Sequence, residues 1–312
     1  MISFGPIPSR RLGKSLGINN ILSPKKCSYG CVYCQVGKTK LHTIERQYFF
    51  EPSYILHEVS EHLGKLKSSE IPDYLTFVAN GEPTLDVNLG ETILLLKTLN
   101  LPIAVITNAS LLYEPTVVNN LMLADWVSLK IDAPDTQTWQ LVNQPFKSLN
   151  FETHITSILK FAEHFKGILC TETMLVQGLN DSETQIANLA EIVKQVNAFK
   201  SYLSIPTRPP AFSSISAPAI EKINYAWQIY TNQGINTELL IGFEGTNTGH
   251  TGNAYDDILN ILAVHPLRED TVNELLKKDN ADFSVIESLL KQQLIKQIPY
   301  NNYKFYFRNY FI

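Results

Sequence analysis

Hydrophobic and polar positions alternate along most of the chain in a way that predicts strands separated by helices. Short β-branched apolar runs predict seven strands, over 16–22, 74–78, 103–107, 126–131, 168–175, 202–205 and 237–241. Helical spacing of apolar residues predicts helices over 53–66 and 186–196, the second opened by Asp181 and Ser182. This alternation indicates parallel βαβ units, in a barrel, a partial barrel or a doubly wound sheet, whose chemistry lies at the carboxyl ends of the strands.

The pattern changes from about residue 265 onward. Amphipathic spacing predicts two short helices, over 271–278 and 284–293. Ser284, with Glu287 three residues later, is typical of a capping box at the start of the second helix. Two β-like runs then flank Asn301 and Asn302, as in a hairpin. Two helices and a hairpin together predict a small winged-helix module over 265–312.

Composition narrows the protein class. The chain has 312 residues, of which 44% are apolar and 18% charged, and these values favour a globular protein over a disordered one. Four cysteines are too few for a disulfide framework. No apolar run approaches the roughly 18 residues of a membrane span, and the first residues lack a secretory signal. We therefore expect a cytoplasmic protein with no membrane contact.

The small net charge of −4 hides an uneven distribution. Residues 1–44 contain seven basic side chains and no acidic one, and residues 291–312 contain four basic side chains and no acidic one. The rest of the chain is therefore strongly acidic. Positive segments attract anions, so this pattern favours RNA or another anionic substrate as a partner. Compensation for an anionic metal cluster explains the first segment equally well.

Three of the four cysteines, Cys27, Cys31 and Cys34, form a C-x3-C-x2-C motif in one loop. Thiolates at this spacing can bind one inorganic centre, and three protein ligands leave a metal position open for another ligand. An open position implies catalysis or ligand exchange. Two alternatives remain: a zinc site with His42 as fourth ligand, and an unliganded thiol cluster.

With Tyr33 before its last cysteine, this loop resembles the signature of the radical S-adenosylmethionine (radical SAM) superfamily. The segments GPIPSRRLGKSLGIN, ANGEPTLD, TNASLL, LIGFEGTNTGHTG and VHPLRED resemble the branch that includes wyosine-type tRNA-modifying proteins. The resemblance implies a partial (β/α)6 barrel over 1–242, a connecting segment over 243–264 and the winged-helix-like module over 265–312.

The resemblance also implies a mechanism. Cys27, Cys31 and Cys34 would bind a [4Fe-4S] cluster, whose fourth iron is chelated by S-adenosylmethionine. An external electron donor of the flavodoxin or ferredoxin type reduces the cluster. Reductive cleavage then gives a 5′-deoxyadenosyl radical that abstracts hydrogen from the substrate, so the three cysteines count as both metal ligands and catalytic residues. Such a radical needs a dry, closed site.

Further candidate cofactor-binding residues lie where the predicted strands end. The resemblance makes Gly81, Glu82, Pro83 and Thr84 the turn that holds the methionine ammonium, and Tyr33 and Asn108 are added beside the cofactor. Period-2 alternation places a polar stripe in one strand and a glutamate in the next. These residues are Ser128, Lys130, Asp132 and Glu172.

Each of these candidates also has an ordinary structural explanation. Glu82 and Asn108 suit simple turns, the polar stripe suits a solvated strand end, and Glu172 suits an internal salt bridge. Cys170 lies in an apolar run and is expected to be a packing residue. The aromatic and basic C-terminal hairpin fits either nucleic-acid stacking or core packing.

The favoured function is therefore a radical SAM enzyme. Wyosine-type enzymes carry further cysteines for a second cluster, which this sequence lacks, and this difference disfavours wyosine synthesis itself. Another tRNA-directed reaction, activation of a glycyl-radical protein and small-molecule chemistry stay open. The alternative from another class is a metal- or redox-sensing nucleic-acid-binding winged-helix protein.

Overall fold

The computed structural model describes residues 2–309, which contain thirteen strands and ten α-helices. The strands are Ser3–Ser9 (β1), Gly13–Ile18 (β2), Lys26–Cys27 (β3), Leu41–His42 (β4), Tyr74–Phe77 (β5), Ile103–Thr107 (β6), Trp126–Lys130 (β7), Ile168–Met174 (β8), Lys200–Ser204 (β9), Thr237–Leu240 (β10), Leu267–Arg268 (β11), Ile295–Tyr300 (β12) and Tyr303–Arg308 (β13). The helices are Pro52–Lys65 (α1), Leu89–Lys97 (α2), Pro115–Leu121 (α3), Thr136–Val142 (α4), Phe151–His164 (α5), Glu183–Val196 (α6), Ile220–Asn232 (α7), Ala254–Ile261 (α8), Glu269–Lys278 (α9) and Ser284–Lys291 (α10).

One eight-stranded sheet, in the order β1-β2-β5-β6-β7-β8-β9-β10, forms a curled partial barrel. In this order, the seven strands that follow β1 are parallel to one another, and β1 pairs antiparallel with β2 at one edge of the sheet. Helices α1 to α7 connect successive parallel strands. All of them except α4 pack on the outer face, and α4 packs against the cysteine loop through Trp139 and Val142. This architecture confirms the prediction of a partial α/β barrel.

Strand β1 was not predicted, and the first predicted strand, 16–22, lies instead at Gly13–Ile18. Strand β1 contains two prolines and a glycine, which disfavour strands in sequence-based analysis, yet an edge strand tolerates them. The predicted strand ends early because the side chains of Asn19 and Asn20 form hydrogen bonds with the segment 80–86. Asn19 Oδ1 accepts from Asn80 N, and Asn20 Nδ2 donates to Asp86.

The barrel interior contains an apolar cluster, which we call the apolar plug, beside a cavity that reaches the carboxyl ends of the strands. The apolar plug consists of Leu12, Ala104, Trp126, Cys170, Tyr202 and Leu240. Cys170 is buried there, as predicted for a packing residue. Strands β7 and β8 pair Ser128 with Cys170 and Lys130 with Glu172, so each strand runs from the apolar plug to charged groups toward its carboxyl end.

The C-terminal part has its own apolar core, formed by helices α8, α9 and α10 and a three-stranded antiparallel sheet in the order β11-β13-β12. Asn301 and Asn302 have φ values of 48° and 63°, as a tight hairpin turn requires, so the predicted hairpin is confirmed. Phe4 and Ile7 of β1 belong to this second core. The winged-helix name and the division at residues 242 and 264 stay predictions, and α8 lies inside the predicted connecting segment.

The prediction of a capping box formed by Ser284 and Glu287 was wrong. Phe283 is the N-cap of α10, and Asp282 Oδ1 accepts a hydrogen bond from the Ser284 amide. Among the hairpin aromatics, Phe305 and Tyr306 are buried in packing, Tyr303 is 52% exposed, and Tyr310 lies outside the described residues. Within 2–309, no helix has the length and apolar character that a membrane span needs.

Candidate active site

The cysteine loop is held between two backbone partners. Strand β3 pairs in parallel with β4 on one side, through Cys27 beside His42. On the other side, Lys26 N donates to Asn80 O at 3.3 Å, and Glu82 N donates to Lys26 O at 3.1 Å. The turn containing Gly81 and Glu82 therefore fixes the start of the cysteine loop at the carboxyl edge of the barrel.

Each of the three sulfur atoms has a nitrogen donor beside it. Lys25 Nζ lies 3.0 Å from Cys34 Sγ, and Lys25 is only 7% exposed. The Nδ2 atoms of Asn108 and Asn143 lie 3.6 Å from Cys27 Sγ and 3.5 Å from Cys31 Sγ. Donors aimed at sulfur stabilise thiolates and the anionic cluster that thiolates bind. The residues present therefore fit a [4Fe-4S] cluster, and Lys25 supplies the compensating charge expected of the first segment.

Burial raises the pKa of Cys27 to about 12 and that of Cys31 to about 11, and the opposing effect of Lys25 on Cys27 is smaller. Within 2–309, no three His, Cys, Asp or Glu side chains are grouped as a single metal ion requires. A cluster does not require that grouping, because each cysteine binds a different iron. His42 Nε2 donates to Ser28 O at 3.0 Å and its ring lies edge-on to Phe146, which favours the cluster over a zinc site.

A buried polar network supports the loop from inside the barrel. The Tyr33 hydroxyl donates to Asp132, and Asn143 Nδ2 donates to Asp132 Oδ2 at 2.7 Å. Asp132 Oδ1 in turn accepts from Met174 N at 2.7 Å. Burial and the Asp132 carboxylate raise the pKa of Tyr33, which keeps the phenol protonated as a donor. The network locks the ring of Tyr33 beside Cys34.

Glu82 is a buried anchor for neighbouring strand ends. Its Oε1 accepts from Thr84 N, Thr84 Oγ1 and Thr107 Oγ1, and its Oε2 accepts from Asn108 N at 2.8 Å. Burial raises the pKa of Glu82 against these hydrogen bonds. Because the carboxylate is already bonded, the backbone of the turn is the part left for a ligand. Among the described residues, Asn80 Oδ1, directly before this turn, is a buried acceptor without a partner, which suits a ligand ammonium.

A cavity of about 300 Å³ opens directly beside Tyr33, Cys34 and Gln35. Its charged wall includes Lys130 and Glu172, whose Nζ and Oε1 atoms are 3.1 Å apart. Arg11 also pairs with Glu172. Burial alone would raise the pKa of Glu172, but Arg11 and Lys130 outweigh it and hold the pKa at about 2. Glu172 therefore stays charged. It forms the internal salt bridge that the sequence analysis gave as its ordinary structural explanation.

The predicted site residues thus fall into three positions. Tyr33, Cys34, Lys130 and Glu172 line the cavity, while Asp132 lies behind Tyr33. The turn from Gly81 to Thr84 and Asn108 contact the cysteine loop on its other side. Ser128 lies deeper, and its hydroxyl has no partner among residues 2–309. Contact of these residues with a cofactor stays a prediction.

Sequence reasoning missed the specific roles of Lys25 and Asn143. The lysine was counted only as part of a basic segment, although its position two residues before Cys27 was a usable signal. Asn143 carried no signal, because its contacts with Cys31, Tyr33 and Asp132 join segments that are distant in the sequence or separated by a helix.

Replacing Glu172 by glutamine is expected to lower the free energy of unfolding at pH 7 by about 3–5 kcal/mol, because Arg11 and Lys130 would be left buried without their carboxylate. The folded-state pKa of about 2 lies below the unfolded value of about 4.3, so this stabilisation is complete above about pH 4.3 and is lost as the pH falls toward 2. Urea unfolding of both proteins at several pH values should show their difference shrinking over that range.

The matched control is Glu238→Gln, which breaks the half-exposed pair with Lys200. An exposed pair contributes about 0–1 kcal/mol, so this variant should stay close to the wild type at every pH. Equal stabilities of Glu172→Gln and wild type at pH 7 would contradict the role given to Glu172.

Comparison with known proteins is consistent with this geometry. A family model described as the radical SAM superfamily matches residues 21–190. A UPF0026 protein of Methanocaldococcus jannaschii is 43% identical over 99% of this chain and 96% of its own length. A UPF0026 protein of Helicobacter pylori is 32% identical over 95% of each chain.

Among solved structures, a radical SAM methyltransferase from Sphaerobacter thermophilus aligns with a TM-score of 0.53 and 15% identity, over 73% of this chain and 66% of that chain. This likeness supports the partial-barrel fold, while the wyosine-type branch stays a prediction. Because the family model covers more than half of the chain and contains the whole cysteine loop, the protein belongs to the radical SAM superfamily.

Proposed function

We propose that this protein is a radical SAM enzyme that binds a [4Fe-4S] cluster through Cys27, Cys31 and Cys34 and cleaves S-adenosylmethionine reductively. The observation that carries the proposal is the set of nitrogen donors aimed at the three sulfur atoms, at the mouth of a cavity on the carboxyl edge of the barrel. Superfamily membership supports SAM-dependent radical chemistry.

When bound, the cluster would pass one electron to the sulfonium of S-adenosylmethionine, which gives methionine and a 5′-deoxyadenosyl radical that takes a hydrogen atom from the substrate. The chain positions the three sulfur atoms and shields the site from water. Lys25 balances charge beside Cys34, and Asn108 and Asn143 orient the other two sulfurs. The apolar plug packs inside the barrel next to Lys130 and Glu172 and shields that side of the site from water.

An external electron donor would approach the outer side of the cysteine loop. Lys38, Lys40 and Leu41 are exposed there, and the amides of Lys40 and Leu41 donate to Lys25 O, so this segment lies directly over the loop. The loop's inner side faces the cavity. Basic and apolar groups together suit an acidic electron-transfer protein of the flavodoxin or ferredoxin type. The rate of association with such a donor should fall as the salt concentration rises.

The test is anaerobic reconstitution followed by reduction in the presence of S-adenosylmethionine. About four irons per chain and formation of 5′-deoxyadenosine and methionine are expected. With reduced flavodoxin as donor, Lys40→Glu should slow the reaction several-fold at low salt but leave the dithionite-driven rate unchanged. Lys277→Glu, on an exposed helix position in α9, is the control.

The result that would overturn the proposal is a spectroscopically confirmed cluster that yields no 5′-deoxyadenosine with dithionite. A single zinc ion per chain, with salt-dependent binding of nucleic acid and no turnover, would instead support the metal-sensing alternative.

A further inference from the structure

A second cavity, which we call the outer chamber, adjoins the one beside the cysteine loop. It has a volume of about 260 Å³ and shares with the inner cavity a wall that includes Ile205, Arg208, Glu244 and His265. Its far side is formed by the C-terminal part of the chain, through Arg268 and the hairpin that carries Tyr303. The two cavities therefore adjoin each other across a shared wall, between that part and the cysteine loop.

The inner cavity offers limited room. Its volume of about 300 Å³ is at the lower end of the range for ligand pockets, about 300–1,000 Å³. Under the proposed function, on which this inference rests, S-adenosylmethionine occupies the cavity beside Cys34 and Tyr33. The non-reacting part of a substrate must then extend into the outer chamber.

The cations that line the two cavities are balanced by carboxylates. Arg11 and Lys130 pair with Glu172 and Asp132, Arg208 pairs with Glu244, and Arg268 pairs with Asp270. His265 adds no charge, because burial and the neighbouring Arg208 hold its pKa well below the usual value. Under the proposed function, S-adenosylmethionine would add a sulfonium, an ammonium and one carboxylate, which is a net charge of +1. Added positive charge in a buried site favours an anion, and the substrate is the remaining source.

The outer chamber also holds groups that are ready to recognise an anion. Arg268 lies between two aromatic rings, with its Cζ atom 3.5 Å from the ring centroid of Phe243 and 4.2 Å from that of Tyr303. Its Nε and Nη2 atoms donate to Asp270, which leaves Nη1 as the donor without a bond to the described residues. Stacking on the two rings and the two hydrogen bonds to Asp270 hold the guanidinium in one orientation. This lowers the entropy cost of binding an anion.

Thr248 provides a second, independent observation. Thr248 is 1% exposed and lines the outer chamber, and its hydroxyl has no hydrogen-bond partner among residues 2–309. A buried hydroxyl without a partner is costly, so its presence in a cavity wall indicates a missing ligand atom. Arg208 is itself bonded to Gln35, Glu244 and His265, and thereby joins this chamber to the cysteine loop.

We propose that the outer chamber binds the carboxylate or phosphate group of a small organic substrate, through Arg268 Nη1 and the Thr248 hydroxyl, with Arg208 contributing charge. The group's position directs the rest of the substrate through the shared wall toward Cys34. A chamber of this size between two packed parts of the chain fits one small anion and excludes a polynucleotide backbone.

The test measures binding of malonate and inorganic phosphate to the reconstituted protein with S-adenosylmethionine, by calorimetry. One of the two should bind with a millimolar or lower Kd, and the tighter of them identifies the group. Arg268→Gln should weaken that binding about tenfold or more, because it removes a charge-assisted hydrogen bond. Lys296→Gln, an exposed cation on the same hairpin outside the chamber, should leave it unchanged.

Thr248→Val keeps the test decisive if Arg268→Gln fails to fold. Removing a hydroxyl that has no partner should leave stability unchanged or raise it, while anion affinity falls several-fold. Binding that neither variant weakens, or no binding of either anion, would overturn the proposal. So would an oligonucleotide that binds where neither small anion does.

Formation of 5′-deoxyadenosine in the same preparation separates the two proposals. A preparation that cleaves S-adenosylmethionine but binds neither anion overturns the anion site and leaves the radical function standing. A preparation that binds malonate but forms no 5′-deoxyadenosine overturns the radical function and, with it, the substrate role of the chamber.

Discussion

Cys34→Ala is expected to remove both bound iron and the cleavage of S-adenosylmethionine. Each of the three cysteines would bind a different iron, so the cluster cannot be held by two of them. The variant also leaves Lys25, a nearly buried cation, without its sulfur partner. Loss of a group that merely supports a metal ligand costs about 10–100-fold in affinity or activity, and loss of the ligand should exceed that. Iron content and 5′-deoxyadenosine formation are the measurements.

Cys170→Ala is the matched control. Cys170 is a buried cysteine in the apolar plug, remote in the sequence from the cysteine loop. Its replacement should cost about 1–2 kcal/mol of stability through lost packing and leave iron content and product formation intact. The assignment of the cluster to the loop fails if Cys34→Ala keeps its full iron content, or if Cys170→Ala loses it.

Gly81→Ala is expected to lower both the stability of the protein and the loading of the cluster. Gly81 has a φ of 142°, and a Cβ atom there would overlap the carbonyl oxygen of Lys26, immediately before Cys27. Backbone strain at such a residue costs about 1–3 kcal/mol, and relief of the overlap requires the start of the cysteine loop to move. We expect lower stability in urea and poor cluster loading, because the hydrogen bond from Glu82 N to Lys26 O would be lost.

Gly37→Ala is the control that separates the cost of backbone strain at a positive φ from the effect of the overlap with Lys26. Gly37 also has a positive φ, 87°, and lies just after the cysteine motif. Apart from its chain neighbours, no atom of residues 2–309 lies within 4 Å of the position where its Cβ would be. This variant should therefore lose about 1 kcal/mol and keep its cluster. If both variants load iron as well as the wild type, contact between the turn and the cysteine loop has no role in holding the cluster.

The strand pattern of the barrel could be predicted from the sequence because parallel strands buried on both faces are continuous apolar runs. The predicted strand 103–107 coincides with β6, and the predicted 74–78 and 126–131 each extend one residue beyond β5 and β7. The helix opened by Ser182 was also recognisable, since the capping box of Ser182 and Gln185 is a local signal.

What could not be predicted depends on pairing between distant segments. Arg11 and Glu172 are 161 residues apart, and only the curled sheet brings them together. Arg208 likewise meets Gln35 and His265 from opposite directions along the chain. The sequence showed Glu172 as an unusual charge in a strand, but it contained no signal for which cations would neutralise it. The outer chamber was equally hidden, because its walls come from both ends of the chain.

Strand β1 is shared by the barrel sheet and the core of the C-terminal part. Its residues Phe4 and Ile7 precede the parallel strands of the barrel in the sequence, whereas the helices and hairpin that cover them follow the last of those strands. These two side chains are therefore buried only when the C-terminal part packs on the finished barrel sheet. Contacts between segments so far apart in the sequence form slowly, so docking of the C-terminal part is expected to be a late step of folding.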